Sequence, residues 1–303
     1  MEMKRCQKLG VDINAYEILS LVDTIIFDLD GTCWRGDKLL PGSVPLANRL
    51  LDMGKRICFI TNNSTRTHDE TVVELNHRGL PIRDKDQVLC TARATAFHLQ
   101  QKYPNGGLAY CISPPSVEKE LEDHGIKTWS CEEHNDWNAP PELIQDSTAV
   151  VCALDRTLNY KRLAIGTDVL LKREESLFVA TNLDPTFPEH GGRLFPDCGA
   201  IVAALNAATG RPLDVNIGKP SSIMFEMAME RLNVNPARTL MVGDRCDTDI
   251  EFASAAGAYS MLVQTGAHSE KTAFKYRDSG EWKRAPNFIA ESTNHFYSFM
   301  SEQ

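Results

Sequence analysis

Short apolar runs recur along the chain, separated by longer amphipathic stretches, and this alternation limits the fold more than any other feature. Strand-like runs fall at 24–27, 57–60, 108–112, 149–154, 177–180, 214–217, 240–242, 260–263 and 288–290. Helical stretches lie between them at 44–53, 67–78, 92–102, 117–124, 161–172, 200–208, 222–232 and 248–256. Such alternation predicts an α/β fold with parallel strands and helices on both faces. Continuous runs such as Thr24-Ile25-Ile26-Phe27 fit strands buried on both faces. A chain of 303 residues has room for two domains. Between about 103 and 141 it becomes richer in Pro, Gly and charge, and Pro114-Pro115 and Pro140-Pro141 punctuate it. An inserted second domain is expected there.

Composition narrows the function. Hydrophobic residues make up 42% and charged residues 24%, enough apolar material for a packed core. The net charge of −9, from 32 Lys+Arg against 41 Asp+Glu, argues against nucleic acid and an anionic membrane surface as partners. Anionic small substrates stay open, because one divalent cation reverses a local field. No run approaches the ~18 apolar residues of a membrane span, and Met1-Glu2-Met3-Lys4-Arg5-Cys6 lacks the apolar core of a secretion signal. Nine cysteines without a C-x-x-C pair predict neither zinc nor a disulfide framework, but reduced thiols in a cytoplasmic protein.

Asp28-Leu29-Asp30-Gly31-Thr32 follows the first strong strand, at the carboxyl end where open α/β sheets bind ligands. Two carboxylates two residues apart can divide nucleophilic attack from proton transfer. The same residue types also close an Asx turn. Thr61-Asn62-Asn63-Ser64 ends a second strand; its hydroxyls and amides suit phosphate oxygens, or simply cap the next helix. Lys219, in Gly218-Lys219-Pro220-Ser221, supplies a cation after a strand, although a solvated lysine has the same signature. Gly243-Asp244-Arg245-Cys246-Asp247-Thr248-Asp249 sets an acidic cluster after a third strand, where hard cations find oxygen ligands. Asp247 and Asp249 equally suit a helix N-terminus.

In order and spacing, these four segments resemble the haloacid dehalogenase superfamily, and the chain from about 20 to 290 is similar to its 4-nitrophenylphosphatase, phosphoglycolate phosphatase and pyridoxal phosphate phosphatase branch. The resemblance implies a Rossmann-like core at 1–92 and 196–303, with an inserted α/β cap of type C2 at 93–195. It implies a phosphatase in which Asp28 attacks phosphorus and Asp30 acts as general acid and base. Mg²⁺ would be held by Asp28, the Asp30 carbonyl and Asp244. Thr61, Asn62 and Lys219 would meet the phosphate, Asn63 would help place a small phosphorylated metabolite, and Asp249 would orient Lys219 or a metal-bound water. Arg245 is expected to brace its loop, and a homodimer through the cap is implied.

Asp30 favours a phosphatase over a dehalogenase, since a departing halide needs no proton. A phosphonatase would need a Schiff-base lysine in the cap, and none is evident. A non-catalytic binding protein of this fold would be expected to have lost Asp28, Asp30, Lys219 or Asp244, and all four are present. A protein phosphatase ranks lower, because a large cap should exclude folded substrates. Phe187 stands where pyridoxal phosphate phosphatases carry a ring-contacting histidine, with His190 out of register, which argues against that substrate. Cys33, beside the nucleophile loop, is a redox-sensitive thiol or an inert one.

Overall fold

The structure, a computed structural model, describes residues 5–131, 139–189 and 193–301, which leaves His190 outside the described residues. In chain order the strands are β1 (Gln7–Lys8), β2 (Thr24–Phe27), β3 (Trp34–Arg35), β4 (Lys38–Leu39), β5 (Arg56–Thr61) and β6 (Val88–Cys90). Then come β7 (Gly107–Ile112), β8 (Ile126–Trp129), β9 (Ala149–Cys152), β10 (Leu177–Ala180) and the hairpin β11 (Thr186–Glu189) and β12 (Arg193–Pro196). The last four are β13 (Val215–Asn216), β14 (Thr239–Gly243), β15 (Tyr259–Val263) and β16 (Phe288–Ala290).

The chain forms two compact units. The first takes the residues up to Thr61, Thr71–Leu89, and those from Lys219 onward. Its seven-stranded sheet has the order β1-β16-β15-β14-β2-β5-β6. β2 pairs in parallel with β5 on one side and β14 on the other. All four β2 residues are buried, as a doubly covered strand requires, and Phe27 stacks on Phe59 of β5 at 5.8 Å. From β2 the chain builds outward to β5 and β6, and later to β14, β15 and β16 on the other side. The order therefore reverses at β2, and the crevice beyond the carboxyl ends of β2 and β14 is where this topology places a ligand.

The second unit takes Asn62–Glu70 and Cys90–Gly218. Its five-stranded parallel sheet has the order β13-β10-β9-β7-β8. Tyr110 and Trp129, 4.6 Å apart, anchor its core, and both keep a polar partner: Tyr110 Oη donates to the Arg162 carbonyl, and Trp129 Nε1 to Ser147 Oγ. Pro115 and Pro141 each open a helix, Pro115–Asp123 and Pro141–Asp146, where a missing N–H costs nothing. The chain rejoins the first unit at Lys219, not at 196, because the helix Cys198–Thr209 packs into the second core and β13 adds to the second sheet. Asp197 caps that helix, accepting from the Cys198 N–H.

The helix expected at 248–256 divides into a π-helical turn, Cys246–Ile250, and an α-helix, Glu251–Ala256. Such wide turns gather at functional sites. Among the described residues, no helix is long and apolar enough to cross a membrane.

Candidate active site

Asp28 lies one residue beyond β2, its N–H bonded to the Val242 carbonyl of β14. Its carboxylate is buried, and Lys219 Nζ donates to Oδ1 at 2.5 Å. The same ammonium donates to Asp249 Oδ1 at 2.7 Å and to the Ile60 carbonyl at 3.3 Å, so its three protons have three acceptors. Lys219 is thus a buried bridge between two carboxylates, not a solvated side chain.

Asp244, just beyond β14, is held by a loop that the motif pattern missed. Ala267 N–H donates to its Oδ2 at 2.6 Å, and the His268 N–H donates to its backbone carbonyl at 3.1 Å. His268 Nδ1 in turn accepts the Cys246 N–H at 2.9 Å, which places the ring proton on Nε2. Burial holds the His268 pKa below its usual value, in keeping with a neutral ring. Two glycines give the carboxylate its space. A Cβ on Gly31, which also needs its positive φ of 90°, would come 2.6 Å from Asp244 Oδ2, and a Cβ on Gly266 would overlap that oxygen outright. The available sequence signal was a glycine three residues past the strand run 260–263.

Asp28, Asp244 and Asp249 are all buried, with ligand atoms within 4.8 Å of one another. Burial pushes Asp28 well above the usual carboxylate range, with Asp249 and Asp244 adding to the rise and Lys219 opposing it. Burial, then Asp249, pushes Asp244 up to about 7. Burial works against the charge on Lys219, but Asp249 and Asp28 outweigh it and raise its pKa. Three carboxylates and one ammonium sum to two negative charges when all are ionised. Charge balance at a buried site in that state calls for a divalent cation, and the oxygen-only donors suit a hard ion such as Mg²⁺.

Replacing Gly266 by Ala is therefore expected to displace the Asp244 carboxylate. Affinity for a divalent cation, probed with Mg²⁺ by titration calorimetry, should fall at least about tenfold, and an unchanged affinity would show that the loop yields without moving the carboxylate.

The remaining expected residues divide. Asp30 is exposed, and its Oδ1 accepts from Trp34 Nε1 at 2.9 Å. Thr61 ends β5 and is buried in the first unit. Asn62 and Asn63 belong to the second unit. There the Asn62 amide donates to Asp184 Oδ2 at 2.9 Å, and Asn63 Oδ1 accepts from the N–H and hydroxyl of Thr65 in an Asx-type turn. Asp249 takes the Arg245 N–H at 3.0 Å besides Lys219, and Arg245 forks onto Asp247 at 3.1 and 2.9 Å. Cys33 is inert: it is buried, its thiol donates to the Asp28 carbonyl at 3.3 Å, and burial with Asp28 and Asp30 nearby drives its pKa well up.

Residues 25–127 match the family model described as haloacid dehalogenase-like hydrolase, and 216–295 match the HAD-hydrolase-like model. Glycerol-3-phosphate phosphatase of Gallus gallus is 35% identical over 270 residues, covering 87% of this chain and 86% of that protein. The chain belongs to the haloacid dehalogenase-like hydrolases. Among its relatives in this hydrolase family is human chronophin, 32% identical over 295 residues, 96% of this chain and 97% of that one. The solved 4-nitrophenylphosphatase of Thermotoga maritima is 29% identical with a TM-score of 0.78, covering 93% of this chain and 98% of its own. Glycerol phosphate phosphatase of Mycobacterium tuberculosis, solved in complex with magnesium, is 30% identical with a TM-score of 0.77, covering 92% and 77%. The α/β class and parallel sheets expected from the sequence agree with these neighbours.

Proposed function

We propose that this hydrolase cleaves phosphate monoesters of small metabolites through a phosphorylated Asp28. The observation that carries the reading is the buried trio Asp28, Asp244 and Asp249, with Lys219 bridging two of its members. Asp28 attacks phosphorus in line, and its Oδ–P bond forms as the ester P–O bond breaks. Asp30, exposed and two residues on, gives its proton to the leaving oxygen and then takes one from the water that hydrolyses the acyl phosphate. Lys219 sets the Asp28 carboxylate and offsets charge on the transferred phosphoryl oxygens, with Thr61 and Asn62 as further donors. Asn63 acts on the substrate from its turn, and Asp249 keeps Lys219 in place. Asp28, Asp244 and the Asp30 carbonyl would hold Mg²⁺, which supplies positive charge opposite the phosphate oxygens.

The names of the relatives support glycerol phosphate as substrate type, and 2-phosphoglycolate stands beside it through the sequence resemblance alone. Pyridoxal phosphate is the second reading, through the likeness to chronophin. Phe187 weighs against it: its ring stacks edge-on with Phe195 and lies under the Arg156 guanidinium at 5.0 Å, an apolar face where that substrate class calls for a histidine. Comparing kcat/KM for these three esters decides between the readings, and the 4-nitrophenyl ester with Mg²⁺ tests the activity itself.

The same reading includes pairing of two chains through the second unit, supported by exposed Leu194 and Phe195, and a cytoplasmic setting, supported by nine buried free thiols. A monomeric mass by light scattering would remove the pairing.

Metal binding should depend on pH with a definite sign. In the metal-free protein Asp244 titrates near 7, above its unfolded value of 3.8. The folded state therefore binds the extra proton, and its stability falls as pH rises through that interval. Mg²⁺ needs the ionised ligand, so the Tm gain from saturating Mg²⁺ over chelator should grow between about pH 5 and about pH 8. A gain that stays flat or shrinks would contradict this.

A further inference from the structure

We propose that Trp34 is a positioning residue for Asp30, fixing the carboxyl group for proton delivery; this rests on the reading of Asp30 as general acid. The indole Nε1–H donates to Asp30 Oδ1 at 2.9 Å, while the backbone closes the same turn: Gly31 N–H bonds to the Trp34 carbonyl at 2.7 Å and Trp34 N–H to the Leu29 carbonyl at 3.1 Å. The ring is 5% exposed, and the Arg78 guanidinium covers it 4.6 Å from the centroid. Arg78 is itself anchored, donating to Glu74 at 2.5 Å and to the Gly36 carbonyl in the β3–β4 turn at 3.3 Å. A chain of contacts from the helix His68–His77 and the residue after it thus reaches the exposed carboxyl of Asp30.

An exposed carboxyl group turns about Cβ–Cγ unless something holds it. The indole is a donor only, so it orients Asp30 without taking or relaying its proton. With Oδ1 accepting from the indole, the transferable proton sits on Oδ2. It passes to the ester oxygen as that oxygen's bond to phosphorus breaks and the Asp28 bond to phosphorus forms; in the second half water returns a proton to Oδ2. This placement matters most for esters of strongly basic alcohols, whose alkoxide cannot leave unprotonated, and least for 4-nitrophenolate.

The test compares kcat/KM for glycerol phosphate and 4-nitrophenyl phosphate, a constant that reports steps through loss of the alcohol. Trp34→Phe keeps the ring under Arg78 and deletes the N–H. The ratio of alkyl to aryl kcat/KM should drop roughly tenfold, the worth of one hydrogen bond to a carboxyl group that gains charge as its proton leaves. Asp30→Asn should lower the same ratio by about a hundredfold, and adding Trp34→Phe to it should lower it no further. Arg78→Met, which keeps the indole but frees it, should lower the ratio about threefold, and decides the matter if Trp34→Phe does not fold. An unchanged ratio in the Trp34 and Arg78 variants, with Asp30→Asn selective, overturns the proposal alone. A ratio unchanged in Asp30→Asn overturns the reading of Asp30, and the role of Trp34 with it.

Discussion

Asp28→Asn is expected to abolish turnover of 4-nitrophenyl phosphate, by at least about 10⁴-fold, while the protein still folds. The amide has the size of the carboxylate and keeps an oxygen that can accept from Lys219, but it has no lone pair suited to attack phosphorus. Acid-quenched parent enzyme, mixed with labelled ester, should carry an acyl-linked phosphate that the variant lacks. The variant also removes from the buried cluster the carboxylate whose pKa Asp249 and Asp244 both push up. Its metal-free Tm should therefore match or exceed that of the parent, and its gain from Mg²⁺ should be smaller. Rapid turnover by this variant, or a parent that never carries the adduct, would sink the nucleophile assignment.

Lys219→Met should produce a loss of both activity and stability, and for one electrostatic reason. Methionine fills the same channel without charge, which leaves Asp28 and Asp249 facing each other with no cation between them. Truncating one partner of a buried ion pair costs about 3–5 kcal/mol. The Asp28 carboxyl should also rise further, since Lys219 is the main influence holding it down. Turnover should fall about 10²- to 10³-fold, the scale of losing one electrostatic donor to the transition state, and the Tm of the metal-free variant should drop. Saturating Mg²⁺ should recover part of the stability, because it again balances the carboxylates, but little of the rate. A variant with near-parent Tm and turnover would mean that Lys219 is a bystander.

The strand β2 and its loop were the most legible part of the molecule. A four-residue apolar run ending in Asp-Leu-Asp-Gly-Thr carries both a doubly buried strand and its chemistry in contiguous residues, and the strand spans Thr24–Phe27 as expected. The short elements were not legible. β1 has two residues and β6 three, too few for a period to register. The helix expected at 248–256 carries no local sign of the π-helical turn Cys246–Ile250 that opens it, because Asp247 and Asp249 are also the ordinary residues of a helix N-terminus.

By itself the sequence determined the α/β alternation, the acidic loops after their strands and the order in which they arrive, because each depends on residues adjacent in the chain. Only the tertiary structure decided that Lys219 lies between Asp28 and Asp249, that Gly266 and Ala267 cradle Asp244, and that Cys33 is sealed off as an inert thiol. It also decided that the Asn62 amide finds Asp184 in the second unit. Those relations join residues far apart in sequence, through burial, close backbone approach and charge balance. No local pattern encodes which distant groups will share a buried site.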